Sequence, residues 1–171
     1  MPRTKKEHII SKDEKQAADL QIKEMQKQID YDTRDFTIEL LITKFEKKDF
    51  FIPPYQRDFV WQPKNKTLFL ESVFLGLPIP FMFFADCDNG KQEVIDGAQR
   101  MQTLVEFYNN QLQLSGLKKL TKTQRLFNFK DLSDTQQRKF LNKALRIIIL
   151  EEDTPTAARQ DLFYRINTTE I

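Results

Sequence analysis

The chain has 171 residues, 40% of them hydrophobic and fifteen of them Phe, enough apolar mass for one packed domain plus an appended segment. The net charge of +2 is too small to name a partner, and no apolar run is long enough for a membrane span or signal peptide, which predicts a cytoplasmic protein with no membrane partner. The single cysteine, Cys87, excludes a disulfide framework or thiolate metal site within one chain, and the single histidine, His8 in the N-terminal tail, excludes a Ser-His-Asp triad, a His-metal nuclease and a His-based zinc site.

The first ten residues read as a disordered tail. A helix is predicted from Ser11 to about Asp30, opened by the capping-box pair Ser11 and Glu14. Ala18, Ile22, Met25 and Ile29 form an apolar stripe on it, suited to the domain or to a partner. Tyr31 to Phe36 is a linker or short strand. Thr37 caps a helix carrying Ile38, Leu41, Ile42 and Phe45. Phe50-Phe51-Ile52 is a short strand stopped by Pro53-Pro54. Pro63 opens a helix whose apolar face is Leu68, Phe69, Val73 and Phe74, ended by Gly76 with Pro78 and Pro80 beyond it.

Phe81 to Ala85 reads as a buried strand, residues 86–90 as a turn, and Gln92 to Ile95 as the return strand. A helix follows from Ala98 to Asn109. Gln111 to Leu114 is a candidate strand, and Asp134 to Asn142 a helix capped by Ser133. Ala144 to Leu150 is a strongly apolar strand. Thr156 caps a last helix, Ala157 to Ile166. Short strands mixed with helices predict an α+β fold.

Three clusters carry candidate chemistry. In Ile95-Asp96-Gly97-Ala98-Gln99-Arg100 a strand ends, Gly97 permits a sharp turn and a helix begins. The unpaired N–H groups and dipole of that helix start suit an anion such as a phosphate. Arg100 adds forked donors, Gln99 can bond an oxygen or a base edge, and Asp96 is suited to Mg²⁺ or to orienting a water. An ordinary helix start, with Asp96 as N-cap and Arg100 in solvent, is the competing reading. In the second cluster two prolines stiffen the chain before Tyr55, Gln56 and Arg57. Arg57 is a second phosphate candidate, and Tyr55 and Trp61 are flat platforms for a base. Trp61 as a core plug and Arg57 in a structural ion pair are the alternatives. In the third, Phe163 and Ile166 lie on a core face, and Asn167 is either a C-cap or a polar finger over the site. Separately, Lys118, Lys119, Lys122, Arg125, Lys130, Arg138, Lys139, Lys143 and Arg146 are opposed only by Asp131 and Asp134. Such a region suits a nucleic-acid backbone or simply a solvated face.

The ordered motifs Ile-Pro-x-Tyr-Gln-Arg-x-x-x-Trp (52–61), Leu-Pro-Ile-Pro (77–80), Asp-Gly-x-Gln-Arg-x-x-Thr (96–103) and Phe-x-x-x-Asn (163–167) resemble the N-terminal domain of the GmrSD-type modification-dependent restriction enzymes, from about Phe36 to Asn167. The resemblance implies a ParB/sulfiredoxin-like mixed sheet with flanking helices, after an N-terminal helix. It divides the chain into a tail and amphipathic helix, 1–35, and a nucleotide-binding domain, 36–171. It also implies a domain that binds nucleoside triphosphates with Mg²⁺, hydrolyses them in several members, and works with an HNH-type nuclease domain or subunit against foreign or modified DNA. Carried over, Gln56 and Arg57 belong to the first motif. Asp96, Gly97, Gln99, Arg100 and Thr103 form the phosphate-binding motif, with Ala98 inside it. Asn167 sits in the third.

Two departures follow from the same residues. The family commonly has Gln where Ala98 stands, so if that Gln serves turnover, this member binds nucleotide but hydrolyses it slowly. Sulfiredoxins place a nucleophilic Cys there, which Ala98 excludes. A chain with one histidine holds no HNH centre, so cutting requires a nuclease elsewhere. The ending at residues 167–171 does not resemble a domain end, which points to a truncated chain or the first domain of a longer protein. Two further hypotheses compete: a non-enzymatic DNA-binding or regulatory module using Lys118, Lys119, Lys122 and Arg125, and a phage-defence or counter-defence protein whose N-terminal helix recruits a partner.

Overall fold

The computed structural model describes residues 8–56, 60–122 and 127–169. The N-terminal helix α1 (Lys12–Gln26) begins as its sequence dictates: Ser11 Oγ accepts the Glu14 N–H at 3.1 Å, and Glu14 returns the bond to the Ser11 N–H at 2.7 Å. It ends four residues short of the expected Asp30, and none of its residues is buried. Ile22 and Met25 on the expected stripe are each about half exposed.

Beyond α1 the elements run β1 (Tyr31–Thr37), α2 (Ile38–Glu46), β2 (Phe50–Phe51), α3 (Pro63–Phe74), β3 (Met82–Asp86), β4 (Gln92–Asp96), α4 (Ala98–Tyr108), α5 (Asp134–Leu141), β5 (Ala144–Leu150) and α6 (Thr156–Thr169). The five strands form one mixed sheet in the order β1-β5-β3-β4-β2. β1 is antiparallel to β5, with Tyr31 opposite Leu150 and Thr37 opposite Ala144. β3 runs parallel to β5 and antiparallel to β4, and β2 closes the far edge parallel to β4. The α+β expectation holds.

Alternation along the strands assigns the two faces of the sheet. Met82 and Phe84 of β3, Val94 of β4, and Leu145, Ile147 and Ile149 of β5 join the larger core with α2, α3, α4 and α5. Phe74, Phe107, Phe129 and Phe140 interlock in that core, with ring centroids 5.3–5.8 Å apart. Each such ring is worth about 1.5–3 kcal/mol by burial, and each ring pair about 0.5–1.5 kcal/mol more. The opposite face is thinner. Ala85, Ile95, Leu150 and Phe163 form a second core, packed by Tyr55, Phe83 and Leu162.

Several local expectations are corrected. Of the two readings of residues 31–36, the strand holds, and it extends to Thr37 because β5 offers seven partners. Phe81 precedes β3 and is 47% exposed. Leu68 points outward from α3, since the buried stripe there runs through Thr67, Leu70, Glu71 and Val73. Gln111 to Leu114 is not a strand; Leu114 makes a single antiparallel bridge to Phe127. Thr156 lies inside α6, whose first turn closes on the Pro155 carbonyl through the Arg159 N–H at 3.1 Å. α6 also continues through Thr169, so Asn167 lies within it and is not a C-cap.

Candidate functional site

Strand β4 delivers its chain end to Gly97, which takes φ +107° and is the N-cap of α4. Glycine is required here twice over. The backbone is left-handed, and a Cβ would stand 2.6 Å from Met82 Cγ. Gly97 has no side chain with which to cap the helix start. Gly97, Ala98, Gln99 and Arg100 line a cavity of about 600 Å³ at the favourable end of the helix dipole.

The cavity is lined by residues from all three sequence clusters: Gln56 and Trp61, then Asp96, Gly97, Ala98, Gln99 and Arg100, then Phe163 and Asn167, with Val60, Phe69 and Pro80 completing the wall. Its volume lies within the range usual for small-molecule sites. One side is apolar and aromatic, and the other carries three amides and an ion pair.

Each polar side chain is held by named partners. Gln56 is 5% exposed, and its Nε2 donates to the Ile95 carbonyl at 2.7 Å and to that of Val94. The short 3-10 turn Pro54–Gln56 is thereby pinned to the end of β4. Gln99 Oε1 accepts the Trp61 backbone N–H at 2.9 Å, and Gln99 Nε2 donates to Gln102 Oε1 at 3.2 Å. Trp61 packs edge-on against Phe69 at 5.6 Å and lines the cavity. Asn167 also lines the cavity, and its Nδ2 donates to the Phe163 carbonyl one turn back in the same helix at 2.7 Å.

Asp96 and Arg100 depart from the ordinary helix start. Asp96 is not the N-cap, and Arg100 is 8% exposed rather than solvated. Arg100 Nη2 donates to Asp96 Oδ2 at 2.9 Å, and its guanidinium also reaches the carbonyls of Pro80 and Phe81. The arginine thus ties the Pro80 entry of β3 to the first turn of α4 and lines the cavity as part of an ion pair.

Among the described residues no group of three or more His, Cys, Asp or Glu could hold a metal ion. Among the described residues that line the cavity, Asp96 is the one carboxylate. Such a donor set fits Mg²⁺ carried by phosphate oxygens and water, the usual state of that ion, and not a metal caged by protein alone.

Other expected site residues lie elsewhere. Thr103 is fully buried, and its hydroxyl donates to the Gln99 carbonyl at 2.7 Å, bracing the α4 turn. Tyr55 does not line the cavity. Its hydroxyl donates to Glu93 at 2.9 Å and its ring meets Phe163 edge-on at 5.3 Å. Arg57 and Arg125 lie outside the described residues. Lys118, Lys119 and Lys122 are exposed. Their loop is anchored by Glu71, a carboxylate only 3% exposed, which accepts the N–H groups of Lys118 at 2.9 Å, of Lys119, and of Leu120 at 3.3 Å. Burial pushes the Glu71 carboxyl up, but those backbone donors and the Lys118 charge outweigh it and leave the group below its usual range. Lys143 leaves the basic face altogether, donating to the carbonyls of Val73 and Phe74 at the end of α3. Arg146 pairs with Asp35 at 2.9 Å.

Glu71, Glu93 and Arg159 are buried charges that the sequence motifs do not mark. Their signal in the sequence is weak: Glu93 falls on an inward position of β4, and Arg159 stands four residues before Phe163 on one face of α6.

The family model for the GmrSD restriction endonuclease N-terminal domain matches residues 38–171. The chain belongs to that family. Comparison with curated proteins and with solved structures gave no match. The match to the GmrSD N-terminal domain starts at the first residue of α2 and spans every residue of the cavity. Among the described residues no helix is long and apolar enough to cross a membrane.

Proposed function

We propose that this GmrSD N-terminal domain binds a nucleoside triphosphate in the cavity at Gly97 and regulates a restriction nuclease carried on another domain or subunit. The observation that supports this most is the convergence of Gln56, the Gly97 turn and Asn167 on one cavity, from sites far apart in the chain. The phosphates lie against the uncapped start of α4, where N–H groups and dipole favour an anion. Trp61 and Phe69 offer the base an aromatic wall, and the amides of Gln56, Gln99 and Asn167 offer it polar edges.

Mg²⁺ bound to the nucleotide would meet Asp96 and neutralise phosphate charge. Arg100 holds Asp96 in place. Phosphoryl transfer in such a site depends on positioning and charge. With the Ala98 methyl in the wall, the site lacks the amide common at that position, which favours binding over turnover.

The test is binding of labelled GTP and ATP with Mg²⁺. Saturable binding that falls on Asn167→Ala is expected, and no binding at millimolar nucleotide refutes the proposal. A second reading rests on the exposed Lys118, Lys119 and Lys122: a DNA-contacting loop fixed by Glu71. A salt-dependent gel shift lost on charge reversal of these lysines, and indifferent to Asn167→Ala, would favour that module.

A further inference from the structure

A second polar network lies behind the cavity, on the thinner face of the sheet. Glu93 points from β4 into that layer and is 9% exposed. Its two oxygens go separate ways. Oε1 accepts the Tyr55 hydroxyl at 2.9 Å, and Oε2 accepts Arg159 Nη1 at 3.1 Å. Arg159 is 7% exposed and directs its other donors to three carbonyls, Thr154 at 3.0 Å, Asp86 at 2.9 Å and Glu152 at 3.0 Å, and to Cys87 Sγ at 3.8 Å.

The two branches lead to two residues that line the cavity. Tyr55 precedes Gln56, which lines the cavity and bonds the Val94 and Ile95 carbonyls where the register between β3 and β4 shifts. Arg159, Phe163 and Asn167 repeat every fourth residue, so they share one face of α6. The Tyr55 ring closes the circuit against Phe163 at 5.3 Å. Among the described residues the second core has four buried members, of which Phe163 is the one that α6 contributes. A buried, fully bonded ion pair adds a directional constraint that apolar packing does not supply. Burial, then the neighbouring Glu93, hold the Tyr55 phenol above its usual range, so it remains a proton donor to Glu93 at every working pH.

We propose that Glu93 and Arg159 are positioning residues, one carboxylate and one guanidinium that hold Gln56 and Asn167 in place in the cavity lining. For its effect on nucleotide affinity this rests on the function proposed above. The positioning itself does not depend on which ligand the cavity takes.

The first arm uses the ligand-free protein. Side-chain amide resonances of Gln56 and Asn167 are followed in the Glu93→Gln variant, with Gln137 of α5 as the remote control. Both cavity amides should shift or broaden while Gln137 stays in place, and unmoved cavity amides overturn the proposal. Tyr55→Phe leaves the Glu93–Arg159 pair intact and cuts one branch, so it gives the same answer at Gln56 if Glu93→Gln does not fold.

The second arm measures affinity for GTP with Mg²⁺ in a double-mutant cycle. Glu93→Gln and Asn167→Ala should each weaken binding roughly tenfold, and the pair together by much less than roughly a hundredfold, because one acts through the other. Fully multiplicative losses overturn the proposal. A wild-type protein that binds neither GTP nor ATP removes the nucleotide reading alone, and the resonance arm still decides the positioning claim.

Discussion

Arg100 sits one helical turn after Asp96, with its Nη2 2.9 Å from Asp96 Oδ2 and both side chains mostly buried. The pair makes the Gly97 end of the cavity charge-balanced rather than a bare cation. Removing either member therefore perturbs the fold as well as the ligand.

Arg100→Ala should destabilise the domain by about 3–5 kcal/mol, the usual cost of leaving a buried charge unpaired. Asp96→Asn keeps an acceptor for Arg100 and should cost about 1–3 kcal/mol. Urea unfolding checks both. If Asp96 meets Mg²⁺ on the nucleotide, Asp96→Asn should also lower the Mg²⁺ dependence of binding while leaving Mg²⁺-free binding intact or stronger.

Gly97→Ala should lower stability by about 1–3 kcal/mol through its left-handed backbone alone, before Met82 is displaced from the 2.6 Å approach. A melting temperature lowered by roughly 2–10 °C is expected. Shrinking Met82 in the same protein should recover only the steric part, because φ +107° remains unfavourable for alanine.

Glu71 links stability to pH. Its folded carboxyl titrates below the ordinary 4.5, so its stabilisation is complete above that value and fades as pH falls through the lower folded value. Glu71→Gln should cost about 1–3 kcal/mol at neutral pH by weakening the acceptor for three backbone donors. The gap between wild type and variant should narrow in strong acid. Urea unfolding at pH 7 and pH 3 tests this, and an unchanged gap contradicts it.

Ala98 tests the balance between binding and turnover. Placing an amide there with Ala98→Gln should raise nucleotide hydrolysis by about 10²–10³-fold, the range usual for a single group that stabilises the reacting atoms. Affinity should change much less. A steady-state hydrolysis assay with GTP and ATP measures it; equal rates in both proteins would place turnover elsewhere.

The sequence exposed the turn at Gly97 because a glycine between an apolar strand and a helix marks a backbone that side chains disfavour, here at φ +107°. It exposed the larger core because Phe, Leu and Ile recur with regular spacing. It concealed the Glu71 and Glu93 partnerships because both are long-range. Glu71 meets Lys118 to Leu120 over forty residues away, and Glu93 meets Arg159 across 66 residues. Asn167 resembles a cap because capping is a local rule, whereas the helix simply continues past it. Tyr55 and Trp61 look equivalent in the sequence as aromatic platforms. Only the packing of Tyr55 against Phe163 and Glu93 separates it from Trp61 at the cavity.

Trp61 is the one tryptophan of the chain and lines the cavity, so its fluorescence reports on the site directly. Titration with GTP and with ATP in the presence of Mg²⁺ should change that emission saturably, with the response weakened by Asn167→Ala. Emission that stays constant to millimolar nucleotide, in a protein shown to be folded, would contradict a nucleotide site at Gly97.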